Sequence, residues 1–333
     1  MSRYRGNMAA KRDRTQQRLD QWRAARSNPG SEESIRILRD ALKDPSNYVA
    51  AKAAEIIEQG LVAETVPALL EAFDRFFEAK NDRGCEALTA IAKALYALDY
   101  QAPDPYLKGI RHHQPEGYGT PTDVATGLRS VCGLALVQTS YDRTLDELVL
   151  LLTDEYATVR QSAARALGCT GFADAVIPLL LFKVHTGDQE FEVIAECMVS
   201  MLALAPGRTL PFVVEQLDSS DSDRAEAAAV ALGTLRSEEA FDALRQKWDA
   251  TAFGTIRERI LHAMAASRTD PAIAFLTRLV AEEPFKTAVQ ALRALALHRR
   301  DARIRGLVEE AVAKRGRELE AAFSSTFGSS GTL

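Results

Sequence analysis

The sequence predicts an all-α fold built from about eight helical hairpins that stack in chain order. A helix motif recurs at intervals of 31 to 41 residues along a chain of 333 residues, which is typical of helical repeat proteins. A second amphipathic segment lies between successive copies of the motif. No run of useful length alternates apolar and polar residues as a half-buried strand does. Together these patterns favour a repeat architecture over a globular α/β fold.

The clearest copy of the motif runs from Asp154 to Gly168. A polar residue opens it, Val159 and Arg160 follow, a run of small and apolar residues comes next, and a glycine closes it. Asp at a helix start accepts hydrogen bonds from backbone amides that have no partner within the helix. Small residues allow neighbouring helices to approach closely. Gly168, and Gly233 in a later copy, are predicted to adopt the left-handed conformation that ends a helix.

The remaining copies follow the same register from one end of the chain to the other. Arg160 has counterparts at Arg129 and Arg257, whereas other copies carry a different residue there, so no continuous ladder of Asp and Arg is expected. The copies begin at Asp44, Asp82, Asp123, Asp154, Asp188, Ser219, Thr251 and Glu282.

Each copy is predicted to pair with the amphipathic segment before it. One hairpin cannot bury both of its apolar faces, so the stack as a whole forms the core. These segments are 34–42, 66–77, 145–152, 176–182, 210–217, 240–248 and 273–280.

The motif from Asp154 to Gly168 resembles a HEAT repeat, close to the HEAT-like repeats of bacterial phycobilisome lyases. The resemblance covers the chain from about Glu32 to Ala313. It implies a right-handed α-solenoid whose concave face is formed by the second helix of each hairpin. HEAT repeats serve scaffolds, chaperone-like lyase subunits, regulators and some nucleic-acid enzymes, so the resemblance implies a fold more narrowly than a function.

Composition and charge divide the chain into three parts. We expect a basic arm or helix at 1–31, a repeat domain at 32–315 and a C-terminal tail at 316–333, with a flexible end from Gly328. Residues 1–30 carry a net charge of about +6, as do residues 286–317, whereas the whole chain carries −5. The basic ends could touch nucleic acid, but the acidic body argues against a phosphate-binding face. Arg299 and Arg300 are interpreted as part of a polar cap on the last repeat.

Neither a membrane span nor a secretory signal is evident in the sequence. No apolar stretch approaches the roughly 20 residues that a transmembrane helix needs, and the N-terminal region is polar and basic rather than apolar. We therefore expect a cytoplasmic protein, and we expect it to be a monomer. Cys132 and Cys197 occupy small-residue positions of the motif and are predicted to be buried thiols.

Catalytic and cofactor motifs are not found. The chain has no phosphate-binding glycine loop, no paired Cys-x-x-Cys, no His-Glu-x-x-His and no Gly-x-Ser-x-Gly. No catalytic residue, metal site or cofactor is predicted on this basis, although the absence of motifs does not exclude an enzyme.

The segment from Tyr100 to Asp123 is the most irregular part of the repeat region. It is rich in Pro and Gly, which predicts a loop that interrupts the third hairpin. Long loops on repeat scaffolds often carry binding contacts, whereas the alternatives are a plain connector or a site of chemistry. The candidate partner-binding residues are Tyr106, Arg111, His112, His113, Glu116 and Tyr118, together with Arg129, Arg160 and Arg257, which are expected to be exposed.

Three functions are compatible with these patterns. The first is a scaffold or adaptor that holds a protein or peptide on a curved surface. The second, implied by the resemblance alone, is a subunit similar to a bilin lyase or a chaperone. The third is nucleic-acid binding, which would make the affinity sensitive to salt.

Overall fold

The computed structural model describes residues 22–79, 81–252 and 254–328. The chain divides into two compact units, with the boundary between Ala166 and Leu167. In the first unit a helical stretch at 22–27 precedes α1 (Glu32–Leu42), α2 (Asn47–Gly60), α3 (Val66–Ala79), α4 (Glu86–Ala97), α5 (Asp104–Ile110), the strands β1 (Pro115–Glu116) and β2 (Thr122–Asp123), α6 (Thr126–Leu136) and α7 (Thr144–Leu151). The boundary falls near the end of α8 (Ala157–Gly168).

In the residues that the structure describes, the second unit consists of helices joined by short connections. They are α9 (Ala173–Thr186), α10 (Phe191–Leu204), α11 (Pro206–Gln216), α12 (Ser222–Thr234), α13 (Glu238–Ala250), α14 (Thr255–Ser267), α15 (Asp270–Glu282), α16 (Phe285–Leu295), α17 (Ala302–Ala313) and α18 (Arg317–Phe327).

The helices pack as the predicted succession of hairpins. In the first unit α1 packs on α2, α3 on α4 and α5 on α6, while α2, α4 and α6 pack on one another in turn. In the second unit the pairs are α9 with α10, α11 with α12, α13 with α14, α15 with α16 and α17 with α18. There α10, α12, α14 and α16 pack successively, and α18 packs on α16. The predicted all-α succession of helical hairpins is therefore confirmed within each unit.

The motif helices form the centre of each unit because their small residues permit close helix contacts. In α12, Ala227, Ala228 and Ala231 are completely buried, and so is Leu232. This helix has buried residues on two sides because α10 and α14 both pack against it. The intervening helices bury one stripe instead, as in α3, where Leu69 and Phe73 face inward.

The polar residue that opens each motif copy acts differently from the predicted helix cap in most copies. Asp82 does bind helix amides, since its carboxylate accepts from the N–H groups of Ala87 and Leu88 over 3.0 and 2.8 Å. In other copies the side chain accepts from the amide two residues later, which forms an Asx turn before the helix. These turns occur at Asp44, Asp123, Asp154 and Asp188, and Ser219 forms the equivalent turn.

The prediction for Gly168 and Gly233 is wrong, because neither residue has a positive φ. Gly233 lies inside α12, where a Cβ atom would come 2.8 Å from the Cα atom of Ala263. The glycine is required by the close approach of α14 rather than by a turn.

The C-terminal part of the chain differs from the predicted tail at 316–333. Residues 317–327 form α18, which packs on α16 and α17. Leu319 and Phe327 are buried in that contact, so the helix has an apolar face that ties it to the repeat. Most of the predicted basic arm, residues 1–21, lies outside the described residues.

No helix in the described ranges is both long enough and apolar enough to span a bilayer.

Candidate functional site

The irregular segment between α5 and α6 forms a small antiparallel hairpin, which the sequence analysis did not predict. Pro115 pairs with Asp123 and Glu116 with Thr122. Gly117 and Gly119 adopt φ values of +118° and +86° in the connecting turn, a region that favours glycine. We call residues 111–125 the hairpin segment.

A buried cation lies directly beneath the hairpin segment. The side chain of Arg129 is 1% exposed, and it donates from Nη1 to Asp123 Oδ2 over 2.7 Å and from Nε to Asp154 Oδ2 over 2.8 Å. Nη2 reaches Asp154 Oδ1 at 3.2 Å, and Nη1 also donates to the carbonyl oxygen of His112 at 2.9 Å. Two carboxylates and a carbonyl thus satisfy the guanidinium, as a buried charge requires.

Asp123 is the centre of the hydrogen-bond network. Its carboxylate accepts from the amides of Gln114 and Ala125, each at 2.9 Å, and lies 2.9 Å from Nδ1 of His113. Burial by itself would raise the pKa of Asp123, but these hydrogen bonds and the one from Arg129 hold that pKa well below its usual range. Asp123 is therefore an ionised structural acceptor.

The hairpin segment is also anchored to the start of α4. Glu116 accepts from the amide of Gly84 with both carboxylate oxygens, at 2.9 and 3.1 Å. Gln114 donates from Nε2 to the carbonyl oxygen of Asp82 and to Glu116, at 2.6 Å each. The hydrogen bonds from Gln114 and Gly84 lower the pKa of Glu116. The segment is thereby tied to the preceding repeat.

Contacts with the following repeat complete the anchoring. The amide of Asp123 donates to the hydroxyl oxygen of Tyr156 over 3.0 Å. Arg111 forms an ion pair with Glu147, whose side chain is buried. Three successive repeats therefore hold the base of the hairpin segment.

The upper part of the hairpin segment is open to solvent. Tyr118, in the turn, is fully exposed, and the His113 side chain is 64% exposed despite its contact with Asp123. The ring of His112 is half-buried against Phe77, with centroids 4.9 Å apart. The site combines a fixed base with an exposed aromatic tip.

Two of the candidate contact residues are not on the surface. Tyr106 is completely buried and donates from its hydroxyl to the carbonyl oxygen of Tyr100 at 2.9 Å, and burial raises its pKa. Arg129, expected to be exposed, is buried, and its guanidinium is satisfied by Asp123, Asp154 and the carbonyl oxygen of His112. Of the two, Arg129 supports the hairpin segment directly, through Asp123 and the carbonyl oxygen of His112.

Arg160 and Arg257 are half-buried rather than exposed, and both bind backbone carbonyl oxygens of the segment before their helix. Arg160 donates to the carbonyl oxygens of Asp154 and Glu155, at 2.8 Å each. In the second unit Arg257 donates to the carbonyl oxygens of Trp248 and Thr251. Its Cζ lies 3.4 Å from the centroid of the Trp248 ring. Burial lowers the pKa of Arg257.

The structure brings together Arg111, His112, His113, Glu116 and Arg129, and it adds residues that the candidate set lacked. Asp123 and Asp154 open two successive motif copies, and Arg129 occupies the motif's Arg position, so their pairing was open to inference from the repeat. Gln114 and Tyr156 carried no such signal. Their contacts depend on how the segment folds over the repeats.

The polar groups of this network are occupied by contacts within the protein. The buried polar side-chain atoms within the described ranges all have hydrogen-bond partners. Among the same residues, no group of three or more His, Cys, Asp or Glu side chains could hold a metal ion. The carboxylates of Asp123 and Glu116 already accept several hydrogen bonds, so they are committed to holding the backbone.

Comparison with known proteins returns no matching family model and no matching curated protein. Among solved structures, the complex of CpcE and CpcF of phycocyanin lyase from Nostoc sp. PCC7120 matches with a TM-score of 0.37 and 16% identity, covering 83% of this chain and 94% of that chain. An engineered protein matches with a TM-score of 0.33 and 18% identity, covering 90% and 89%. The Pds5–Scc1 complex matches with a TM-score of 0.32 and 9% identity, covering 88% and 60%. The chain thus spans less than two thirds of that last protein.

Proposed function

We propose that the protein is a binding scaffold whose hairpin segment contacts a protein or peptide partner. The observation that carries this proposal is the contrast between the anchored base and the exposed tip. Glu116 and Asp123 hold the base through backbone amides, while Tyr118 extends fully into solvent. We further propose that it acts in the cytoplasm as a monomer, where its four cysteines, all free, stay reduced.

A pre-ordered loop suits binding because the entropy of ordering it is not lost again when the partner arrives. Tyrosine suits the tip, since it offers a large rigid surface and a hydroxyl group, and it is enriched among the residues that dominate interface energies. The exposed His113 and Arg111 beside it supply polar contacts for the rim of such an interface.

The test is affinity capture from lysate of the native host after nuclease treatment, with mass spectrometry of the captured proteins. Three baits are compared, namely the full chain, Tyr118→Ala, and Phe182→Ala as a control that removes another exposed aromatic residue, 70% exposed, from the second unit. We expect one stoichiometric protein with the first and third baits and at least tenfold less with Tyr118→Ala, because an aromatic anchor contributes about 2 kcal/mol or more.

Other results would reject the proposal. A partner that is captured equally by Tyr118→Ala places the binding surface elsewhere. Material that disappears with nuclease supports nucleic-acid binding instead, and captured material with the visible absorption of a bilin supports the lyase-like alternative.

A further inference from the structure

A second surface lies in the second unit, between the end of α14 and the start of α17. It is an open cavity of about 810 Å³. Its lining consists of Arg268 and the segment 296–302. None of its residues belongs to the hairpin segment, so a ligand bound here would be independent of the function proposed for that segment.

The walls of this cavity are held by specific contacts. Arg268 ends α14 in the left-handed region, with φ of 55°, and forms an ion pair with Asp301. Asp301 caps α17 by accepting from the amides of Arg303 and Ile304 at 3.0 and 3.3 Å. Nε2 of His298 lies 2.7 Å from the carbonyl oxygen of Ala265. The connection between α16 and α17 is thus fixed on both sides.

Two arginines of the lining are not used by these contacts. Arg299 and Arg300 are exposed, and within the described ranges neither makes an ion pair or a side-chain hydrogen bond. The nearby basic residues differ, since Arg303 pairs with Asp270 at 2.9 Å and Arg305 with Glu309 at 2.9 Å. The carboxylate of Asp301 is shared between Arg268 and the α17 amides. The cavity therefore presents two uncompensated positive charges.

An exposed apolar side chain lies beside the two arginines. Leu297 is 64% exposed and lines the same cavity. A surface that joins free guanidinium groups to an apolar side chain matches a ligand that carries carboxylates next to an apolar group. Arginine is suited to this role because its planar fork binds carboxylates through two parallel hydrogen bonds.

We propose that this cavity binds an acidic peptide segment, with carboxylates on Arg299 and Arg300 and an apolar side chain against Leu297. The charges around the site favour a peptide over a nucleic-acid strand. The carboxylate residue Asp301 lines the same cavity as the arginines, whereas binding along a phosphate backbone calls for a continuous basic track.

The test is fluorescence anisotropy with the full chain and a fluorescein-labelled peptide in which two glutamates precede a leucine, flanked by Gly and Ser. A second peptide carries glutamines in place of the glutamates, and a labelled single-stranded oligonucleotide is the third probe. The variants are Arg299→Ala/Arg300→Ala and the matched control Lys286→Ala/Arg293→Ala, which removes two exposed positive charges of α16 that do not line the cavity.

We expect the acidic peptide to bind with an affinity that falls as salt is added, and the glutamine peptide to bind at least tenfold more weakly. The variant at 299 and 300 should weaken acidic-peptide binding by about tenfold or more, while the control variant changes it by less than about twofold. Equal binding of the two peptides, equal loss in both variants, or tighter binding of the oligonucleotide than of the acidic peptide would each overturn the proposal. Far-ultraviolet circular dichroism verifies that both variants retain their helix content.

Discussion

The buried guanidinium of Arg129 donates from Nε to Asp154 over 2.8 Å, and this contact joins the helix of one repeat to the turn that precedes the helix of the next. The same guanidinium binds Asp123 and the carbonyl oxygen of His112. Because the hairpin segment rests on this cation, the order of the candidate binding site depends on a residue that no partner would touch.

Replacement of Arg129 by methionine should destabilise the protein strongly. Methionine fills a similar volume but leaves the carboxylates of Asp123 and Asp154 buried without their cation. Removing one partner of a buried ion pair costs about 3–5 kcal/mol, so we expect a loss of that order in the free energy of unfolding, measured by urea denaturation.

Arg143→Ala is the matched control for that variant. Arg143 pairs with Asp146 at 3.0 Å, but both side chains are more than 60% exposed, and such pairs contribute about 0–1 kcal/mol. Equal effects of the two variants would show that Arg129 is not a buried support.

Acid should lower the stability of the folded protein because it protonates Asp123. The folded pKa of this carboxyl lies below its unfolded value, which is about 3.9. Its ionised form therefore stabilises the fold above about pH 4, and this contribution is lost as the pH falls through the folded pKa. Asp123→Asn should lower stability at pH 7 by about 1–3 kcal/mol and flatten the decline in stability below pH 4. The measurement is thermal unfolding between pH 7 and pH 2.

Asp146→Asn provides the comparison, because the Asp146 side chain is 61% exposed. It should leave both the stability at pH 7 and the acid dependence close to those of the parent protein. An acid profile of Asp123→Asn that matches the parent would contradict the assigned role of Asp123.

The repeat could be predicted from the sequence because the helix motif is local and recurs along the chain. Motif copies at Asp82, Asp123 and Asp154 each precede a helix by a few residues, as predicted. The fold of the hairpin segment could not be predicted in this way, since it depends on hydrogen-bond donors and acceptors that lie far away in the sequence. Glu116 bonds to Gly84, 32 residues away, and Tyr156 bonds to Asp123, 33 residues away.

The solvent exposure of the motif arginines was the other property that local sequence patterns could not predict. Arg129, Arg160 and Arg257 share one motif position, and a charged residue at a repeated position is normally solvated. In this fold the position faces the backbone carbonyl oxygens of the preceding segment, as the bonds from Arg160 to Asp154 and from Arg257 to Trp248 show. Helix packing, not charge, determines where these side chains lie.

The four thiols should differ sharply in reactivity. Cys85, Cys132 and Cys197 are buried, whereas Cys169 is exposed. Burial raises the pKa of Cys85 and of Cys197 to about 12 and raises that of Cys132 as well, so the reactive thiolate is scarce at all three. Iodoacetamide at pH 8 should label Cys169 first, and the other three only after urea is added, as read by mass spectrometry of tryptic peptides. Early labelling of Cys132 would contradict the packing of α6.

Gly233 offers a test of the close contact between α12 and α14. An added Cβ would lie 2.8 Å from both the Cα atom and the carbonyl oxygen of Ala263, and these backbone atoms cannot move without shifting the helix. Gly233→Ala should therefore destabilise the protein by about 1–3 kcal/mol, although alanine is the better helix former.

Gly306→Ala is the counterpart that isolates this steric effect. Gly306 also lies within a helix, α17, but an added Cβ there meets no atom within 4 Å. Because alanine lowers the conformational entropy of the unfolded chain, Gly306→Ala should then raise the free energy of unfolding by about 0.4–1 kcal/mol. The two substitutions are chemically identical, so urea denaturation midpoints that move in opposite directions would establish that the separation of α12 and α14 requires glycine at 233. A gain in stability at both positions would mean that the two helices can move apart at little cost.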